Sequence, residues 1–329
     1  MPLSQKKFIV ITSIFSPSEA IKKFSKIEGW RVIVVGDKKT QGDWQCENVT
    51  YLSPKKQQQL GFEIVKHLPW NHYSRKMIGY LYAIKEGADV IYDTDDDNIP
   101  LQHWYQPEFI GNHKTLSGIS FVNIYSYFTD KKVWPRGLPL QKILNTKKAK
   151  EKNKKNSLGI WQFLANNDPD VDAIYRLTDN TPIIFNDGPL VVLEKNTIAP
   201  INTQNTFFHK KAFPLLFLPA FVTFRFTDIL RGFVAQPILW TKNSRAGFGG
   251  ATVVQKRNIH DYHQDFESEI PMHLHTKTVI QTAKQTADPQ LSYADNLINI
   301  YTELQKLSIV TKKELRLLMA WCNDIKKIS

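Results

Sequence analysis

From residue 7 the chain alternates between short apolar runs and stretches of helical spacing. Residues 7–15 (KFIVITSIF) predict a buried strand, and Ser16-Pro17 supplies an N-cap followed by proline at the first helical position. A helix to about Lys26 should follow, ending at Gly29. Residues 30–37 (WRVIVVGD) predict a second buried strand, so the opening reads as a parallel βαβ unit. Residues 49–52 add a short strand, and Ser53-Pro54 opens a helix with Leu60, Ile64 and Leu68 on one face. After the break at Pro69-Trp70-Asn71-His72, a helix over residues 74–86 turns Met77, Leu81 and Ile84 inward and ends at Gly87. It leads straight into DVIYDTDDDN, residues 89–98, where an apolar run carries Asp93, Asp95, Asp96 and Asp97 to the end of a buried strand. Residues 1–98 therefore predict the doubly wound half of an α/β fold.

Beyond Asn98 the pattern changes. Residues 118–128 predict a strand, 134–139 (WPRGLP) a rigid loop and 142–157 a lysine-rich linker. Residues 181–185 and 190–193 read as two strands around the tight-turn signal Asn186-Asp187-Gly188. A proline-broken apolar run spans 213–222, and Thr227 or Asp228 is placed to cap an amphipathic segment over 229–235. Gly247-Phe-Gly-Gly250 is too short for a phosphate loop and predicts a hairpin or flexible flap. Residues 260–267 form a polar patch in which His263 is a candidate metal ligand. From His275 the spacing is helical, with Leu297, Tyr301 and Leu304 in one helix and Leu315, Leu318 and Trp321 in another. The division is a main domain over 1–272, its second half starting at 99, and a C-terminal helical appendage over 273–329.

Composition narrows the class. With 329 residues, 42% of them apolar, the chain can bury a full core. Its longest apolar stretch is interrupted by Pro214 and Pro219, and its opening residues lack a signal peptide's apolar region. Cys46 and Cys322 make no disulfide framework, so the expectation is a soluble cytoplasmic protein with no transmembrane segment. Half of the net charge of +12 falls in residues 142–155, where seven lysines face one glutamate. Such a run suits peripheral contact with a polyanion or membrane surface, or a solvated loop. Neither zinc-ligand spacing nor a stacking platform supports a specific nucleic-acid role.

The aspartates carry the candidate chemistry. Crowded carboxylates repel one another unless a cation lies between them. A hard divalent ion, Mg²⁺ or Mn²⁺, bridging one or two carboxylates and the phosphates of a nucleotide answers that need. As a calcium loop the segment fails, with Asn98 at the sixth position and Trp104 at the twelfth. Asp93-Thr94-Asp95 has the composition of an aspartyl-phosphate nucleophile but continues with Asp96. An acidic helix-capping turn accounts for one or two of the acids. Asp37, at a strand's carboxyl end, is placed either to hold a ribose or base edge or simply to turn the chain. Arg75 and Lys76 oppose the dipole of the helix they open, which a nearby diphosphate or plain solvent exposure would explain.

Residues 30–40, 68–72, 75–84 and 93–98, with 227–232 and Ala320-Trp321, resemble the STELLO-type glycosyltransferase-like proteins. More distantly the chain is similar to the reversibly glycosylated polypeptides, the plant UDP-arabinopyranose mutases, through the aspartates, Arg136-Gly-Leu-Pro139 and Asp228. The resemblance implies a GT-A-type nucleotide-sugar-binding α/β/α sandwich. It implies that Asp95 and Asp97 hold Mn²⁺ or Mg²⁺ with Asp96 between them, that Asp37 meets the nucleoside and that Arg75 meets the diphosphate or base. Asp228 would deprotonate an acceptor hydroxyl. The function so implied is metal-dependent transfer of a sugar from a nucleoside diphosphate, a UDP-sugar first, to a glycan or other hydroxyl acceptor. Two alternatives remain at this stage: a self-glycosylating mutase in which Arg136 contacts or carries the sugar, and a non-catalytic partner in a glycan-synthesising complex.

Overall fold

In the computed structural model, which describes residues 5–40, 42, 44–144, 147–257 and 261–328, the chain winds outward from a central strand and then back across it. It runs from β1 (Lys7–Thr12) through α1 (Glu19–Phe24) to β2 (Trp30–Val35) and outward to β3 (Val49–Leu52). Then α2 (Pro54–Gln59) and α3 (Lys76–Lys85) return it to β4 (Val90–Thr94) on the far side of β1. All four strands are parallel. The winding reverses between β1 and β4, and such a reversal opens a crevice beyond the strands' carboxyl ends. Alternation decides what each face buries. Phe8, Val10, Ile33, Val35 and Ile91 enter the core beneath α3, while Ile9, Ile11, Val32, Val34 and Tyr92 enter a second core against α1.

Three helices depart from the sequence expectation at their ends. Ser18, rather than Ser16, caps α1 by accepting the Ile21 N–H at 3.3 Å, and the helix ends at Phe24. The helix opened by Ser53 stops at Gln59, because the chain turns through Gly61 at φ +75°. Ile64 consequently lies in a separate 3₁₀ turn, Glu63–Lys66. A 3₁₀ turn at Tyr73–Arg75 precedes α3.

The second half comprises β5 (Asn98–Pro100), β6 (Ile110–Ser117), β7 (Lys150–Asn166), α4 (Ala173–Thr178), β8 (Val191–Leu193), β9 (Asn205–His209), α5 (Thr227–Thr241) and β10 (Ser244–Gln255). The described strands form one sheet of order β3-β2-β1-β4-β9-β7-β6-β8-β10-β5, with β7 also pairing β10. Antiparallel β9, set between β4 and β7, joins the halves. Residues 150–157 of the expected lysine-rich linker are strand, pairing with β6 from Lys150↔Ser117 to Ser157↔Ile110. Paired backbone outweighs the weak strand preference of lysine here, since the side chains stay in solvent. Asn145 and Thr146 of that run lie outside the described residues.

The strand expected over 118–128 is instead a bridge at Phe121 and a 3₁₀ turn, Ile124–Tyr127. Of the expected hairpin over 181–193, only β8 is a strand, and Ile183 makes a single bridge to Asn167. The expected glycine flap lies inside β10. A Cβ on Gly247 would sit 2.3 Å from the Trp161 ring and one on Gly249 2.5 Å from Phe163, so these glycines make room for neighbouring aromatics.

The tail is α6 (Tyr262–Thr286), α7 (Tyr293–Lys306) and α8 (Lys312–Ile328). Asp261 caps α6 by accepting the His263 and Gln264 N–H groups, which moves the helix start well ahead of His275. Tyr301, Leu304, Leu318 and Trp321 enter the same core as Met77, Leu81 and Phe217, so the expected appendage packs as part of the main body. Two buried carboxylates of α8 accept loop N–H groups. Glu314 takes those of Ala220 and Phe221, and Asp324 those of Glu63 and Ile64. Among the described residues no helix is long and apolar enough to cross a membrane.

Burial pushes the Glu314 carboxyl up to about 7 against the lowering effect of those N–H donors. Between its usual value of 4.5 and 7 the folded chain retains a proton that the unfolded chain has lost, so this group's contribution to stability falls as pH rises through that window. We expect Glu314→Gln to flatten the decline in unfolding free energy between pH 4.5 and 7, measured by denaturant titration against the parent chain. An identical slope in the two proteins would remove Glu314 from this account.

Candidate active site

Two cavities of about 230 Å³ each open where β1, β2 and β4 end, and they meet at Thr12, Tyr73, Asp96 and Phe224. The first is lined by Ser13, Phe15, Asp37, His72 and Arg75. The second is lined by Asp95, Asp97, Arg136, Asp170, Asp228 and Arg257, among others.

Between the cavities stand the aspartates, and each has a different environment. Strand alternation turns Asp93 into the main core, where it is fully buried. One of its oxygens lies 3.0 Å from the Lys76 ammonium and the other 2.9 Å from the Arg231 guanidinium. Lys76 is also fully buried, and it donates to the Thr94 carbonyl at 2.7 Å and to Asp95 at 2.7 Å. Burial acts to lower the Lys76 pKa, but the charges of Asp93 and Asp95 outweigh it, so the net shift is upward. Thus the cation demanded by the crowded acids is partly supplied by the chain itself. Neither explanation weighed for Lys76, a diphosphate or solvent exposure, holds.

The remaining acids face the cleft. Asp95 is 34% open, and burial, with Lys76 opposing and Asp97 assisting, raises its carboxyl to about 6. Asp96 accepts the Ser13 hydroxyl, and its carbonyl accepts that of Ser18 at 2.6 Å. Asp97 accepts Gln255 Nε2 at 3.0 Å through one oxygen, whereas its other oxygen, Oδ1, is buried with no hydrogen-bond partner among the described residues. Burial raises Asp96 and Asp97 as well. Protonation-prone carboxylates beside an orphaned oxygen form a set that a hard divalent ion fits. Among the described residues no three His, Cys, Asp or Glu side chains are grouped to hold a metal by themselves. Such an ion would therefore need oxygens from a substrate.

In the first cavity Asp37 accepts the backbone N–H groups of Lys38 at 2.6 Å and His72 at 3.3 Å. Arg75 is 1% exposed, with its guanidinium carbon 3.5 Å from the centre of the Trp70 ring and Gln57 Oε1 accepting from Nε at 2.9 Å and from Nη2 at 2.5 Å. Burial lowers its pKa to about 10. Burial also lowers His72 to about 4, leaving a neutral ring at pH 7. His72 Nδ1 accepts the Ser74 N–H at 3.1 Å, which puts the ring proton on Nε2.

The wall of the second cavity is an ionic lattice around Arg136. Its Nε and Nη2 donate to the two oxygens of Asp170 at 2.8 and 2.7 Å, and Nη1 and Nη2 to those of Asp228 at 3.0 and 2.9 Å. Nη1 also donates to the Arg225 carbonyl, so the guanidinium donors are saturated. Burial pulls the Arg136 pKa down, yet the two carboxylates hold it well above its ordinary value. A sugar-carrying Arg136 would need a free nitrogen, which this clamp denies; the mutase alternative loses its footing. Asp228 lies on the cleft wall as expected, but both oxygens are engaged by Arg136 and one also accepts from Thr203.

The fold thus brings Asp37, Arg75, Asp95, Asp96, Asp97, Arg136 and Asp228 to one cleft. It does not bring His263 there. That side chain is 87% exposed at the start of α6, 4.0 Å from Asp261, because the helix cap turns it to solvent. His260 lies outside the described residues. Asp170, Arg225, Arg257, Tyr73 and Phe224 also line the cleft and carried no local signal. The one available clue was the Arg75-Lys76 pair placed against a helix dipole.

Comparison with known proteins agrees with the resemblance. A family model described as STELLO glycosyltransferases matches residues 225–329. The chain is 28% identical over 347 residues to the probable glycosyltransferase STELLO1 of Arabidopsis thaliana, and 28% over 346 residues to STELLO2 of the same plant. Each alignment covers 97% of this chain and 44% of the relative, so the chain spans under half of those proteins' length. Together these findings support a STELLO-type glycosyltransferase-like family.

Lys76→Met should leave Asp93 and Asp95 short of their shared cation and lower the unfolding free energy by about 3–5 kcal/mol. Adding Asp93→Asn should restore part of that loss, as read by denaturant titration of the single and double variants. A single variant as stable as the parent chain would show that the ammonium is dispensable.

Proposed function

We propose that this chain, STELLO-type and glycosyltransferase-like by sequence, is a GT-A-type transferase that moves a sugar from a nucleoside diphosphate to an acceptor hydroxyl. The observation that carries the reading is the seam at Asp96. One cavity suited to a nucleoside adjoins a second, charged cavity, with Asp95 and Asp97 at the boundary where a diphosphate would cross. In the first cavity Asp37 and the neutral His72 offer an acceptor and a donor to a base or ribose edge, and uridine is the nucleoside tested first. Asp95 and the orphaned oxygen of Asp97 would hold Mg²⁺ or Mn²⁺. When bound, that ion supplies Lewis-acid neutralisation of the diphosphate leaving group.

The chain's own residues do the rest. Lys76 fixes the turn that carries Asp95, and Ser13 and Ser18 fix Asp96, so the acids are set before the donor arrives. In the transfer, the bond from the sugar's anomeric carbon to the diphosphate oxygen breaks and its electron pair stays with the diphosphate. The acceptor oxygen forms the new bond and gives up its proton. Asp228 is the candidate for that proton and must release a hydrogen bond to Arg136 or Thr203 to take it. General-base help of this kind contributes about 10²–10⁴-fold. The acceptor's hydroxyl would enter through the second cavity.

Calorimetry with UDP should show binding in the presence of Mn²⁺ and none in excess chelator, and Asp97→Ala should abolish it at unchanged fold. Binding that persists in that variant, or without metal, would sink the reading.

A further inference from the structure

Among the described residues, two charged groups of the second cavity lack adequate partners. Arg136 is saturated, Asp170 and Asp228 are held by it, and Arg225 donates to Glu269 at 2.9 Å and to the Val171 carbonyl at 3.1 Å. Asp95 has Lys76 and Asp96 has Ser13. The first remaining group is Asp97 Oδ1. The second is Arg257, whose side chain is 8% exposed and whose closest carboxylates are Asp168 at 3.8 Å and Asp265 at 3.9 Å. Both separations are beyond hydrogen-bonding distance. Asp168 is also shared with Arg176. A guanidinium so far out of water without close acceptors is costly unless an anion completes it.

The two unfinished groups are tied to one another through the backbone. Gln255, which holds Asp97, ends β10, and the next residue, Lys256, donates its N–H to the Asp97 carbonyl at 3.0 Å. Arg257 follows directly and lines the same cavity as Asp97. An orphaned anion and an underpartnered cation in one cavity match a ligand that presents both a bound metal ion and phosphate oxygens.

We propose that Arg257 is the residue that grips the diphosphate of the donor, taking phosphate oxygens that the ion at Asp95 and Asp97 does not. This rests on the donor reading above and names the residue that completes it. A guanidinium fork matches phosphate oxygens in geometry as well as charge. It would also stabilise the diphosphate as it gains charge on departure.

The test compares uridine, UDP and inorganic pyrophosphate by calorimetry with Mn²⁺ present, on the full chain and on Arg257→Met and Arg257→Lys. UDP affinity should fall about 10–100-fold in Arg257→Met and recover in part in Arg257→Lys, with uridine affinity unchanged in both. Unchanged UDP affinity in Arg257→Met overturns the inference, as does an equal loss for uridine. If the parent chain binds pyrophosphate but not UDP, and Arg257→Met loses the pyrophosphate, the anion site stands and the nucleoside reading falls. If the parent chain binds neither, both fall.

Discussion

Everything at this cleft depends on a single ammonium group. Lys76 sits without solvent contact among Asp93, the Thr94 carbonyl and Asp95. It is presented by the first turn of α3, where the helix dipole opposes a cation. Burying it there is unfavourable on local grounds and is offset only by the carboxylates that it holds. With Arg231 closing the other oxygen of Asp93, the acid nearest the core is removed from the cleft's charge balance. What remains outside is a set of acids only partly compensated, and that remaining negative charge is what the proposed ion would answer. A fully neutralised cluster would have no reason to bind an ion.

Arg136 plays the matching part elsewhere in the second cavity's lining, but its lattice is closed. Every donor is committed, and the Asp170 carboxylate is held in charged form by the neighbouring arginines. Asp170 shows how far this goes, its carboxyl standing at about 2 although burial alone would raise it. The two sides of the second cavity therefore differ in kind. The acids at the end of β4 are only partly compensated, while the lattice around Arg136 is complete and holds shape. This division explains why Asp228, placed on the wall by its position at the start of α5, is less free than its sequence context implies.

The parallel half of the fold was legible because it is built locally. The runs around Ile9, Val32 and Ile91 are uniformly apolar, as strands buried on both faces must be, and the caps at Ser53 and Gly87 are local chemistry. The aspartates were legible for the same reason, being contiguous on a strand end. The second half was read less well because its strands are defined by partners far away in sequence. Lys150 is strand only because Ser117 lies beside it, and Gly247 is strand interior only because Trp161 needs room. The wall around Arg136 draws on Asp170, Arg225 and Asp228, which no spacing rule connects. His263 was misplaced by composition alone. A polar patch rich in ligating side chains proved to be the capped start of a long helix.

The clasp made by α8 has a consequence for how the seam between the cavities is held together. Glu314 holds the chain at Ala220 and Phe221, just ahead of Phe224, and Asp324 holds it at Glu63 and Ile64, ahead of the His72–Arg75 segment. Those two segments meet at the seam, where the Phe224 ring packs 5.6 Å from His72 and 4.7 Å from Tyr73, and a single helix anchors both from behind without contributing to either lining. The helix works as a splint, tying both segments to one rigid body so that their ring contact is kept.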